Sequence, residues 1–281
     1  MGNVVDQAEG LRKLLGRDHV RIMTLTSSKV GVGKTTAVLN LAVALSKAGK
    51  NVLVLDENPG CGGLAAMLGV EGAHDLADVA NRGMPLDEAV IRGPEGIVIL
   101  QAERNALFER EEGISMSNRP VDVVLVDSAA GSNIRMLVPD VAAQDVVVVL
   151  SAEGSAITEA YALIKSMHRD YGKRHFKILV NKVKDEAEAR AVFDNMSKVA
   201  RRFLALTLDF MGYVPVDEAL RQASRLKGAV IESFPLAASS SSFRKIADAV
   251  VHWPYPQHEH CGIGDILQRI IRTGRLSAAN I

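Results

Sequence analysis

The chain has 281 residues, 48% of them apolar, and its 33 lysines and arginines balance 33 aspartates and glutamates. That is enough apolar material for one large domain with an ordinary core, and a formal charge of zero excludes a general attraction to polyanions, so no nucleic-acid partner is expected and any basic surface has to be local. The two cysteines, Cys61 and Cys261, stand far apart and outside any metal-ligand spacing, which fits two free thiols in a reducing compartment.

No apolar run approaches the roughly 20 residues needed to cross a bilayer. The longest, around Val146 to Leu150, is strand-sized and reads as a buried strand. The opening MGNVVDQAEGLRKLLGR lacks a basic start followed by an apolar stretch, so no secretory signal is expected, and residence in the cytoplasm is.

In chain order, RIMTLTSS reads as a strand, followed by a helix from Thr35 to about Ala48 and a second strand, NVLVLDE. Further strand-like runs are GIVILQAE, VDVVLVDS, QDVVVVLSA, FKILVNKV and LDFMGYVPV, with helical patterns such as ITEAYALIKSMHRDYG and EAEARAVFDNMSKVARRFL between them. Runs that are apolar on both faces belong to a covered parallel sheet. The alternation from about Val20 to Val251 therefore predicts a three-layer α/β fold of the P-loop type, mostly parallel, with right-handed crossovers. AASSSS near Ala237 reads as a loop before a last helix. Residues 1–18 and 253–281 look like appendages to a domain spanning 19–252.

The first strand runs through SKVGVGKTT, Ser28 to Thr36, into a helix, which is the context a phosphate cradle requires. Gly31, Val32 and Gly33 would turn backbone N–H groups toward phosphate oxygens, and the helix N-terminus adds its dipole. Lys34 would neutralise the β- and γ-phosphates, with Thr35 and Thr36 opening the helix and the Thr35 hydroxyl ligating Mg²⁺.

Lys29 stands where the MinD/ParA family of ATPases carries a signature lysine in a KGGxGKT loop, and the segment resembles that loop. The resemblance implies ATP and Mg²⁺ as cofactors, and a homodimer formed with ATP in which Lys29 of each copy reaches the other's phosphates. Val30 replaces a family glycine, and a β-branched residue resists positive φ. VLVLDENPGCGGL resembles the family's DxDxxxxN switch segment, keeping the first acid as Asp56 but placing Asn58 at the second, water-positioning acid and Gly63 at the later Asn. An amide accepts no proton from water, so slow hydrolysis is expected.

VDVVLVDSAAG resembles the family's second metal motif, with Asp127 as its acid and Gly131 closing it; an acid there could also cap a helix. Asn181, Pro215 and Asp217 fall at strand ends that border adenine and ribose in the family, although Asn181 also fits a buried structural amide. SAEGSAITEAYALIK resembles a further family segment, with Gly154 where proline is common.

DQAEGLR is similar to the DQAxxLR motif of the FlhG subfamily, MinD-like regulators of flagellar number and placement, in which the motif stimulates the GTPase FlhF. It implies partner contacts through Asp6, Gln7, Leu11 and Arg12, with an FlhF-like GTPase and other flagellar assembly proteins as partners. At the far end, Ile263, Ile266, Leu267, Ile270 and Ile271 form one stripe of a helix whose other faces carry Arg269, Arg272 and Arg275. Such a helix can lie in the interface of an anionic membrane or pack on the domain. The leading expectation is a membrane-associated ATP switch of the FlhG kind. A ParA-like DNA-partitioning ATPase and a nucleotide-binding scaffold that barely hydrolyses are the alternatives.

Overall fold

The computed structural model describes residues 20–58, 60–103, 120–129, 144–254, 266–268 and 270–271. Among the described residues, eight strands form a single sheet: β1 (Arg21–Thr26), β2 (Val52–Asp56), β3 (Ile91–Arg92), β4 (Val98–Gln101), β5 (Val123–Asp127), β6 (Asp145–Ser151), β7 (His175–Val183) and β8 (Thr207–Pro215). Their spatial order is β3-β4-β2-β5-β1-β6-β7-β8. Every pairing is parallel except the two-residue edge contact of β3 with β4. The seven longer strands are the runs legible in the sequence, while β3 is too short to leave a periodic signal.

The α-helices that accompany the sheet include α1 (Lys34–Lys47), α2 (Leu64–Leu68), α3 (Leu76–Arg82), α4 (Leu86–Ala89), α5 (Gly154–Tyr171), α6 (Glu186–Leu204), α7 (Glu218–Arg225), α8 (Val230–Ser233) and α9 (Ala238–His252). One face of the sheet, with Met23, Leu25, Val54, Leu125, Val147 and Leu179, packs against α1, α8 and α9. Helix α1 is enclosed almost all round, Ala37 to Leu45 being buried, because the sheet lies on one side and α9 on the other. The buried Asn40 in its middle is satisfied, donating to Thr36 O and accepting from Val230 N.

The opposite face divides in two. Over β6 to β8, Val146, Val148, Phe176 and Ile178 meet apolar residues of α5 and α6. Over β1, β2, β4 and β5, Ile22, Leu53, Leu55, Val124 and Val126 meet Leu76 and Val79 of α3, Leu86 of α4, and Ile266, Leu267, Ile270 and Ile271. Of the two surfaces open to the stripe, the domain is the one it meets here: these four side chains are buried in the core, covering apolar strand residues that short α3 and α4 leave. Ile263 lies outside the described residues.

The serine patch also differs from its expectation. Ala237 is the residue before α9, and Ser239, Ser240 and Ser242 lie buried within that helix. Two of the hydroxyls find partners, Ser240 Oγ donating to Phe234 O and Ser239 Oγ to Asp217, which lets small polar residues enter a packed helix.

At the N-terminal ends of the strands, buried Arg21 donates to Asp145 Oδ2 at 2.7 Å and to the carbonyls of Trp253 and Pro254 at 2.8 and 3.1 Å. One guanidinium thereby ties the start of β1 to the end of α9.

Candidate functional site

The site forms where the C-terminal ends of β1, β2, β5, β6 and β7 meet, the usual ligand position in an open parallel sheet. The loop after β1 turns through Gly31 and Gly33, both at positive φ (85° and 88°). Val30 is spared that conformation and points outward, 83% exposed, so the loop accommodates the valine by placing its left-handed residues at the glycines. At Gly33 a Cβ would lie 2.3 Å from Asn181 Nδ2, so only glycine fits under β7.

Lys34, the first residue of α1, forms an ion pair with Asp127 at the end of β5, both side chains buried. Burial holds the Asp127 carboxyl above the ordinary carboxylate range, against the pull of the Lys34 ammonium; Asp56 pushes it further up and Thr35 down. In the sheet Asp56 pairs in register with Asp127, which brings the two expected metal acids together beside Thr35.

Asn58 bridges those acids. Its amide Nδ2 donates to Asp127 O (2.9 Å), Asp127 Oδ2 (3.1 Å) and Asp56 Oδ1 (3.2 Å), and its backbone N–H also reaches Asp56 Oδ1. Leu64 N donates to Asp56 Oδ2 at 2.6 Å. Gly63, where the family has an asparagine, has no space for a side chain, since a Cβ would meet Asn58 O at 2.1 Å and Asp56 Oδ2 at 2.7 Å. The switch segment is closed onto its own acids.

Two buried hydroxyls, Thr26 Oγ1 and Ser128 Oγ, have no hydrogen-bond partner. They end β1 and follow β5, on either side of the Lys34–Asp127 pair in sequence, and buried polar atoms without partners are rare outside sites that take a ligand or water. With hard carboxylate oxygens at Asp56 and Asp127 and the Thr35 hydroxyl alongside, the donor set fits a divalent cation that keeps several waters, as Mg²⁺ does.

Lys29 does not join Lys34. Its ammonium, 40% exposed, contacts Glu153 Oε2 at 3.3 Å and Ser155 Oγ at 3.1 Å at the start of α5.

Asn181 does reach the loop, but its amide is taken up there: Nδ2 donates to Val32 O at 2.7 Å and Oδ1 accepts from Lys182 N. Asp217 is likewise occupied by the fold. Its carboxylate caps α7 through Ala219 N and accepts from Ser239 N and Oγ. Although burial pushes this carboxyl up, those bonds outweigh it and hold it below the usual carboxylate range. Pro215 ends β8 beside it. Asp6, Gln7, Leu11, Arg12 and Gly131 lie outside the described residues.

Three participants went unread in the sequence. Glu153 receives Lys29, Lys182 donates to Gly31 O at 2.6 Å, and buried Glu57 accepts from Ala129 N at 3.0 Å just past Asp127. Glu57 left the clearest signal, an acid at the end of an apolar strand.

A glycine loop leading from a strand into a helix, a buried lysine at that helix's start and two strand-end acids on a parallel sheet define a P-loop nucleotide-binding protein. The family model described as the CobQ/CobB/MinD/ParA nucleotide-binding domain matches residues 23–228, and the chain belongs to that family. It is 33% identical over 274 residues to the antiactivator FleN of Pseudomonas aeruginosa, covering 92% of this chain and 97% of that protein. The flagellum site-determining protein YlxH of Helicobacter pylori is 29% identical over 249 residues, 84% of this chain and 83% of its own. The fold matches the septum site-determining protein MinD of Pyrococcus horikoshii complexed with Mg-ADP, with a TM-score of 0.61 at 22% identity over 83% of this chain and 96% of that one.

Proposed function

We propose that this chain is an ATP-dependent dimerising switch of the MinD type, peripheral to the inner face of the cell membrane, which acts on flagellar number or placement with an FlhF-like GTPase and flagellar assembly proteins. The observation that carries the reading is the separation of two lysines in one loop. Lys34 is paired with the metal acid Asp127, whereas Lys29 stays at the surface with Glu153 as its partner. The likeness to FleN and YlxH supports the flagellar part.

Thr35, Asp56 and Asp127 would hold Mg²⁺, which supplies positive charge to the β- and γ-phosphates. Around it the chain's own groups orient the nucleotide: Lys34 draws the phosphates to the start of α1, and the loop's backbone N–H groups fix them. Lys29, released from Glu153, is available to a second copy.

Hydrolysis is slow on this reading, because Asn58 carries no charge to orient water and donates to both acids. The same observation favours a second reading, a nucleotide-dependent scaffold with negligible turnover. Measuring ATP turnover and oligomeric state with and without anionic vesicles and the FlhF partner separates the two. A switch dimerises with ATP and is stimulated by partner or lipid, a scaffold dimerises with turnover no higher than Lys34→Ala, and a chain that stays monomeric in ATP is neither.

A further inference from the structure

Lys182 is one of four non-glycine residues at positive φ among the described residues, at 57°. It sits at the end of β7, inside the register irregularity that β7 makes with β8 between Asn181 and Val183. A left-handed lysine costs on the order of 1 kcal/mol, and such strain persists only where its surroundings hold it. What holds it is the phosphate loop. Because the strand bulges, neighbouring side chains turn the same way: Asn181 Nδ2 grips Val32 O and Lys182 Nζ grips Gly31 O.

The consequence follows from peptide geometry. In a trans peptide the carbonyl and the next N–H point in opposite directions. Drawing Gly31 O toward β7 turns Val32 N–H away from it, and drawing Val32 O the same way turns Gly33 N–H. Two successive N–H groups are thereby aimed together from one side of the loop, an arrangement that binds anions. Asn181 alone would fix one of the two peptides.

We infer that Lys182 is a positioning residue for the polyphosphate, holding the loop in its binding conformation from behind at the cost of a strained backbone. The inference rests on the nucleotide-binding reading of the loop and adds to it a residue on another strand, with its charge directed at a carbonyl rather than at the ligand.

Glycine and alanine substitutions separate this role from a structural one. Lys182→Gly removes the amine and relieves the strain, so its nucleotide-free melting temperature should equal or exceed that of the unsubstituted protein while its affinity for fluorescent ADP and ATPγS with Mg²⁺ falls about tenfold, the size of one charge-assisted hydrogen bond. Lys182→Ala removes the amine and keeps the strain, so affinity falls as much and the melting temperature does not rise. Lys182→Arg retains a donor and should recover most of the affinity. Affinity within about twofold for the glycine variant, or loss of affinity that tracks loss of melting temperature across the three, overturns the inference. If the unsubstituted protein binds no better than Lys34→Ala, the nucleotide reading fails too. If it binds and only the Lys182 variants are indifferent, Lys182 alone has been misassigned.

Discussion

Lys34 and Asp127 form a buried ion pair, a lysine at the first turn of α1 closing on an aspartate at the end of β5. Breaking a buried pair by removing one partner typically costs about 3–5 kcal/mol, because the other charge stays buried and alone. Lys34→Ala should therefore melt well below the unsubstituted protein as well as lose nucleotide. The sign of its pH dependence follows from Asp127, whose folded pKa is raised by burial and rises further without Lys34. A raised carboxyl contributes stability that is present at low pH and lost as pH rises through the folded value. The deficit of Lys34→Ala should shrink when melting is repeated at about pH 5 rather than about pH 8; a deficit that widens toward acid would contradict this account.

Asn58→Asp restores the family's acid but removes an amide that donates to both Asp56 and Asp127. Without Mg²⁺ the variant should lose about 1–3 kcal/mol through unpaired acceptors and like-charge repulsion. Saturating Mg²⁺ with ATP should return most of that, and turnover should exceed that of the unsubstituted protein. Melts with and without Mg²⁺, beside a phosphate-release assay, check both halves. Unchanged turnover would mean that the acid at this position does not limit the rate.

Asp217 tests a separation of fold from site. Asp217→Ala should cost about 1–2 kcal/mol, since it removes the α7 cap and the tie to Ser239. Because the folded carboxyl titrates below its usual range, this contribution is present at neutral pH and is lost as pH falls through the depressed value. Nucleotide affinity should stay within about twofold of the parent's, a difference under 0.5 kcal/mol. A much larger loss in a titration calorimeter would return Asp217 to the binding site.

The apolar stripe can satisfy the sheet or a membrane but not both at once. Four buried Ile and Leu side chains at about 1.5–3 kcal/mol each set an upper bound of roughly 6–12 kcal/mol for docking. Removing residues 262–281 should lower the melting temperature substantially. Anionic vesicles with ATP should in turn raise amide exchange at Leu53, Leu55 and Val124, the strand residues beneath the stripe. Cosedimentation with vesicles while those amides stay protected would place the membrane contact elsewhere.

These four cases also mark what the sequence could carry. Strand runs such as Val146 to Leu150 were legible because a strand covered on both faces leaves an unbroken apolar signature, and the loop from Ser28 to Thr36 because its chemistry depends on local spacing. The stripe from Ile266 to Ile271 was legible as a period, but a period does not say which surface it meets. Asn181 and Asp217 could be placed near the ends of β7 and β8, but their hydrogen-bond partners, Val32 and Ser239, are distant in the chain and chosen by the packing of whole elements. Lys182 was unreadable for a different reason. Its conformation is permitted only by a bulge that arises when β7 meets β8.

The Arg21 clamp on Trp253 and Pro254 sets a distance as well as a contact. It places the attachment points of residues 1–19 and of the chain beyond Pro254 at one rim of the sheet, with the phosphate loop at the other. The separation is the length of β1, about 20 Å for six residues. Between the two rims lies the sheet itself, with Leu53, Leu55 and Val124 stacked beneath Ile266, Leu267, Ile270 and Ile271.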